Sequence, residues 1–278
     1  RRPRLRAPPS RRRQAKSAPR ASSAVAAAAL LALGMLGKPA QAACDTGLAE
    51  RMHAKLHPQR ELDHGLTACR NWRGIPRGMI VVLPMPRRAS LPGVVDFDVD
   101  VLLIQEATNG NTERAVIVSN LYKRYALRED RVRIEDIRID TTHYPLAPKT
   151  RAFGVRVFYR DSTNERPLAS ETLSLYVPRG ETLAKVLDEQ ELSRDSGEWQ
   201  SNCTGRFDTL RSNLSLGDGT SHGLRDIVIE TTVSHSRATV QDGECITQTG
   251  APSFRHETLQ FDGERYQPTG VPENPHGR

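Results

Sequence analysis

From Met79 onward the apolar residues come in segments of 5 to 12 residues, several with every second position apolar, and Gly, Pro, Asn or Asp stands between the segments. A repeat of two dictates strands rather than helices. The segments are Met79 to Leu83, Val95 to Glu106, Arg114 to Ser119, Arg131 to Asp140, Arg151 to Arg160 and Glu171 to Val177. Alternation is sharpest where Val132 and Ile134 interleave with Arg131 and Arg133. Turn residues such as Asn109-Gly110-Asn111 and Asp161-Ser162-Thr163-Asn164 stand between the segments. Short strands at this spacing suggest a β-sandwich over residues 76–191.

A polar stretch, Leu192 to Gly197, reads as a linker or long turn, and a smaller antiparallel β unit follows over 197–268. It comprises Phe207 to Leu216, a turn at Gly217-Asp218-Gly219, Leu224 to Val233, a return past Cys245, and Glu257 to Phe261. Asp262-Gly263 between Phe261 and Tyr266 is a hairpin signal. Residues 269–278, with Pro272, Pro275 and Gly277, read as a disordered tail. Ahead of the strands, residues 43–75 hold one short helical pattern from Thr46 to Leu56, with Leu48, Met52 and Leu56 on one face.

Residues 1–42 are of another kind. They carry ten Lys or Arg and no acidic residue, then an Ala/Leu run from Ala24 to Leu36, then Ala40-Gln41-Ala42. This is the pattern of a cleaved export signal and places the mature chain, from Ala43, in the periplasm or outside the cell. Ser10-Arg11-Arg12-Arg13-Gln14-Ala15-Lys16 is similar to a twin-arginine signal but lacks the apolar pair that follows the arginines. Cys44 stands where a lipoprotein cysteine would, yet Gln41 replaces the aliphatic residue of such signals. The apolar run is shorter than the ~20 residues that a bilayer span requires, so no integral membrane segment is expected in the mature chain.

The leader also accounts for the charge. The whole chain is +7, but subtracting its ten cations leaves 30 Lys and Arg against 33 Asp and Glu. With both signs interspersed, a nucleic-acid partner is not expected. Cys44, Cys69, Cys203 and Cys245 are clustered two and two, and in an exported protein the pairs Cys44–Cys69 and Cys203–Cys245 are the natural disulfides. No CxxC spacing supports a zinc site.

Leu146-Ala147-Pro148, Arg151 to Val157, Glu171 to Val177, Gly197-Glu198-Trp199 with Cys203, His222 to Asp226, and Leu259 to Tyr266 together resemble uncharacterised exported proteins of proteobacteria. The resemblance covers residues 60 to 268. It implies an envelope location and carries over no catalytic residue.

Several groups could carry chemistry. Asp96, Asp98 and Asp100 alternate with Phe97, Val99 and Val101, so a strand would point all three carboxylates to one face. A calcium site would use a turn, and a solvated face or a charged strand edge is the better reading. His53 and His57 are one helical turn apart with His64 nearby, but Ala54 follows His53 where a zinc protease has its glutamate. Gly217-Asp218-Gly219 and Gly223 lead into a strand and not into a phosphate-binding helix. Ser221, His222 and Asp226 are the residue types of a hydrolase triad, without a Gly-x-Ser-x-Gly elbow. Trp199, Tyr159, Tyr176 and Tyr266 could stack on sugars, although most should fill cores.

These features point to an envelope protein without enzymatic activity and without a cofactor, binding a protein or glycan partner through its sheet faces or turns. The alternative is a hydrolase with residues assembled from distant loops. A deep pocket collecting His143 or His222 with acidic groups would favour it.

Overall fold

The computed structural model describes Cys44 and residues 47–87, 92–107, 112–161, 163, 165–201 and 203–269. The expected leader at 1–42, the tail beyond Thr269, the Asn109-Gly110-Asn111 turn and Ser162 and Asn164 lie outside the described residues.

One short helix, α1 (Leu48–Leu56), precedes the sheet. It starts later than the apolar spacing suggests because Gly47 holds φ at +68°, outside the right-handed region. Leu48, Ala49 and Met52 are its buried face. The strands follow as β1 (Ala68–Trp72), β2 (Gly78–Arg87), β3 (Val95–Gln105), β4 (Val116–Glu129) and β5 (Arg133–Ala147). After them come β6 (Thr150–Asp161), β7 (Leu168–Arg179), β8 (Thr182–Ser201), β9 (Thr204–Ser221) and β10 (Leu224–Gln241). The last are β11 (Glu244–Thr249), β12 (Ser253–Phe261) and β13 (Tyr266–Pro268). The protein is mainly β, and these thirteen strands are hydrogen-bonded into one sheet.

The sheet folds over itself. Strands β1 to β4 pair in sequence, as do β5 to β8, and β4 joins β8 through a single parallel pair, Asn120 with Thr182. At the other end β1 comes beside β5, where the Arg70 guanidinium donates to the Ile139 carbonyl at 3.4 Å. Ile80, Val82, Val99 and Val101 from one side meet Ile137, Ile139, Val155 and Val157 from the other and form the first core. The second face of β2 and β3 is also covered, since Leu48 and Met52 of α1 pack on Val81, Leu83, Leu102 and Ile104. Burial on both faces is why Met79 to Leu83 and Val101 to Ile104 are continuous apolar runs.

A second core lies on the reverse side of β7, where Leu173, Leu175 and Val177 pack with Ile227, Ile229, Leu259 and Phe261. Strand β8 serves both. The stretch from Leu192 to Gly197, expected as a linker, is the second half of this strand, with Ser193 paired to both Glu171 and Arg211. Its polar residues are tolerated there because the backbone is bonded on both edges and Asp195 takes a two-pronged ion pair from Arg211 at 2.8 and 2.7 Å. Gly197 is needed in this strand, since a Cβ would lie 2.7 Å from the Phe207 ring.

Gly217-Asp218-Gly219 likewise falls inside β9 and not in a turn. The chain reverses at His222-Gly223, with φ of +48° and +83°, between Ser221 and Leu224. Two positive φ angles in a two-residue loop suit the twist of the flanking strands, and His222 accepts what a glycine adopts freely. The hairpin signal at Asp262-Gly263 is realised, with Phe261 facing Tyr266.

Candidate functional site

Alternation along β3 puts Asp96, Asp98 and Asp100 on the outward face that continues into Leu102 and Ile104. That face is neither solvated nor an edge. β3 is flanked by β2 and β4, and the segment after α1 crosses over it, leaving Asp98 and Asp100 at 0% and 1% exposure. Asp98 accepts hydrogen bonds from Arg60, from Arg87 at 2.7 Å, from the Tyr122 hydroxyl at 2.7 Å and from the Tyr125 N–H at 3.0 Å. Asp100 meets His57 Nε2 at 2.8 Å and Asn120 Nδ2 at 3.1 Å. Asp96, half-buried, lies 3.9 Å from Arg128.

Burial alone would raise the Asp98 carboxyl, but donation from Arg60, Tyr122 and the Tyr125 backbone outweighs it and holds the group at about 2. Four donors on one carboxylate leave little room for a ligand. The network ties the chain after α1 to β3 and fixes the bulge of β4, where Tyr125 sits at φ +51°. It is a clamp, and a buried ionic one because every member is paired.

His53 and His57 do not converge on a shared point. Their ring centroids are 6.5 Å apart, and His57 commits Nε2 to Asp100 while its ring lies tilted against that of Tyr122, with centroids 4.9 Å apart. Burial, then the charges of His57, His64 and Arg60, lower the His53 pKa. His64 is exposed and 3.4 Å from Glu50. Among the described residues no three His, Cys, Asp or Glu side chains gather where they could hold a metal ion.

The residue types of a triad are near one another but wrongly connected. Ser221 Oγ donates to Asp226 at 2.7 Å, while His222 Nδ1 turns to the Phe261 carbonyl at 2.8 Å. No proton relay joins the serine to the imidazole. His143 is exposed. Tyr176 and Tyr266 are buried, the latter donating to the Arg225 carbonyl at 2.6 Å, whereas Trp199 is 40% exposed beside Phe207. Cys44 is bonded to Cys69 and Cys203 to Cys245, with Cα separations of 5.2 and 5.6 Å.

A roomy site lies elsewhere, in the C-terminal half of the sheet. Pairing puts Ser212, Thr231 and Arg255 in one row across β9, β10 and β12, with Leu214, Ile229 and Glu257 in the next row of the same face. Towards the second core this face is apolar. One step outward it becomes the wall of a cleft of about 780 Å³, closed from the side by Gln190 and Glu191 of β8. The Ser212 and Thr231 hydroxyls are 2.9 Å apart and polarise each other. Gln190 and Arg255 supply donors, Glu191 and Glu257 acceptors, and the hydroxyls supply both. The sequence carried a trace of this site. Positions 212 and 231 keep the parity of Leu214 and Ile229 but exchange apolar for hydroxyl side chains, so the face stays aligned while it stops being core.

No family model, curated protein or solved structure matches this chain. No helix of the described residues is long and apolar enough to cross a membrane. Two disulfides are compatible with an oxidising compartment.

Proposed function

We propose that this chain is an exported protein of the cell envelope that binds without catalysing, and that its C-terminal cleft takes a segment of glycan. The cleft carries this reading. Its volume is within the range of ligand sites, and donors and acceptors alternate on rigid strands, as a polyhydroxylated molecule requires. The leader, the disulfides and the resemblance to exported proteins support the envelope location. The disconnected Ser221, His222 and Asp226 favour binding over hydrolysis.

An array of envelope-derived oligosaccharides, followed by calorimetric titration of any that bind, tests it. The protein should bind at least one member, and Arg255→Ala with Glu257→Gln should weaken it at least tenfold while circular dichroism stays unchanged. Equal binding by the double variant would move the site out of the cleft. Capture of a protein alone from envelope extract would replace the glycan, and release of cleaved products would establish the hydrolase.

A further inference from the structure

The C-terminal cleft holds two opposite charges that are not joined to each other or to anything else. Arg156, in the open cleft beside β5, shows the ordinary arrangement, since Asp140 and Glu171 both take its guanidinium. Arg211 on β9 is likewise taken by Asp195. In the C-terminal cleft Glu191 has Arg194 at 3.6 Å. Arg255 and Glu257 line the same cleft from one strand, are exposed, and have no ion partner among the described residues.

The backbone fixes where these two charges stand. Arg255 is paired with Thr231 and Glu257 with Ile229 on β10, and the other edge of β12 is tied where the Thr269 N–H donates to the Thr258 carbonyl at 3.1 Å. Two residues along a strand put their Cα atoms about 7 Å apart with both side chains on one face. Their surroundings differ. Arg255 stands in the row of the Ser212 and Thr231 hydroxyls, whereas Glu257 stands in the row of Leu214 and Ile229, one step nearer the second core. The cleft of about 780 Å³ therefore has a cationic outer end and an anionic inner end, already open and of ligand size.

We propose that the glycan taken by this cleft carries a zwitterion, an ammonium group and a carboxylate borne by one residue. The ammonium donates to Glu257 and the carboxylate accepts from Arg255, and two charge-assisted bonds of about 2.8 Å to groups on adjoining atoms fit the spacing of the pair. An acid alone leaves Glu257 unmatched and brings its own charge close to it. An amine alone does the same to Arg255. This inference rests on the glycan reading of the cleft and adds the charges that the glycan bears. Two sources supply such a residue: an amino acid on a peptide stem joined to the sugars, or an amino-uronic sugar within the chain.

Calorimetric titration with a peptidoglycan disaccharide tripeptide ending in meso-diaminopimelate, and with a tetrasaccharide of 2-amino-2-deoxygalacturonate, tests the proposal and separates the sources. One of them should bind, and affinity should fall about fivefold when its free amine is acetylated and about fivefold when the carboxyl of the same residue is amidated. Glu257→Gln should bring the unmodified ligand down to the acetylated one and leave the acetylated one unaffected. Arg255→Met should do the same with the amidated ligand. Both side chains are exposed, so neither change touches a core, and the blocked ligands test the unaltered protein without any variant. Equal affinity for unmodified, acetylated and amidated ligands overturns the zwitterion and leaves the glycan reading standing. Binding of neutral chitotetraose alone has the same meaning. Binding of free diaminopimelate as tightly as the disaccharide tripeptide keeps the charge pair and overturns the glycan reading. No binding by either zwitterionic ligand overturns the proposal, whatever other oligosaccharides bind.

Discussion

Replacing Asp98 by Asn keeps the shape of the side chain and removes the charge that four donors surround. The Arg60 and Arg87 guanidiniums then face an amide, and one amide hydrogen points at a donor. Removing one partner of a buried ion pair costs about 3–5 kcal/mol. The arginines are partly exposed and recover some hydration, so the lower end, about 3 kcal/mol, is expected. The acid profile gives a second, independent number. The folded-state pKa of Asp98 is depressed, from 3.8 to about 2, so the carboxylate contributes stability that is present above pH 4 and lost as the pH falls through 2. At about 1.4 kcal/mol per pKa unit this is ~2 kcal/mol. Urea unfolding followed by far-UV circular dichroism, from pH 7 down to pH 2, measures both. Other carboxylates also titrate in this window, among them Asp140, Asp188 and Asp195, so the difference between the two profiles is the readout. A loss below about 1 kcal/mol at pH 7, or profiles that run parallel between pH 4 and 2, would refute the clamp.

Three further outcomes follow from the packing. Replacing Cys203 and Cys245 by Ser opens a loop of 42 residues, worth about 4 kcal/mol by chain entropy, and hydrogen exchange should quicken first in the outer parts of β9, β10 and β11. Gly154→Ala sets a Cβ 2.6 Å from Leu173 Cδ1 and 3.0 Å from Asp140 Cβ, so a loss of about 1–3 kcal/mol is expected in thermal unfolding. Tyr266→Phe removes the bond to the Arg225 carbonyl and leaves that oxygen with one donor fewer, a loss of about 1 kcal/mol measured the same way.

Much of the fold was legible because one periodicity dominates it. Val95 to Glu106 and Arg151 to Arg160 are strands within a residue or two of where alternation puts them. What the sequence concealed is continuity. Ser193-Arg194-Asp195-Ser196-Gly197 has the composition of a loop, and only pairing on both edges makes it strand. The aspartate row was read with the right parity and the wrong surroundings, because nothing local says that residues 57–66 return to cover it. The cleft was less visible still. Gln190, Ser212, Thr231 and Arg255 meet through register across four strands, and register is a long-range property.

The single parallel contact between β4 and β8 sets an order of events during synthesis. Strands β1 to β4 are complete at Glu129, yet their free edge has no partner until Thr182 is made some fifty residues later. Until then β4 keeps an open edge even though β5 to β7 already supply the facing wall of the first core, and an apolar sheet with an open edge is a hazard for self-association. The edge of β4 is therefore closed only once β8 has begun. β8 is thus the strand on which the first core is completed and against which the second is then built.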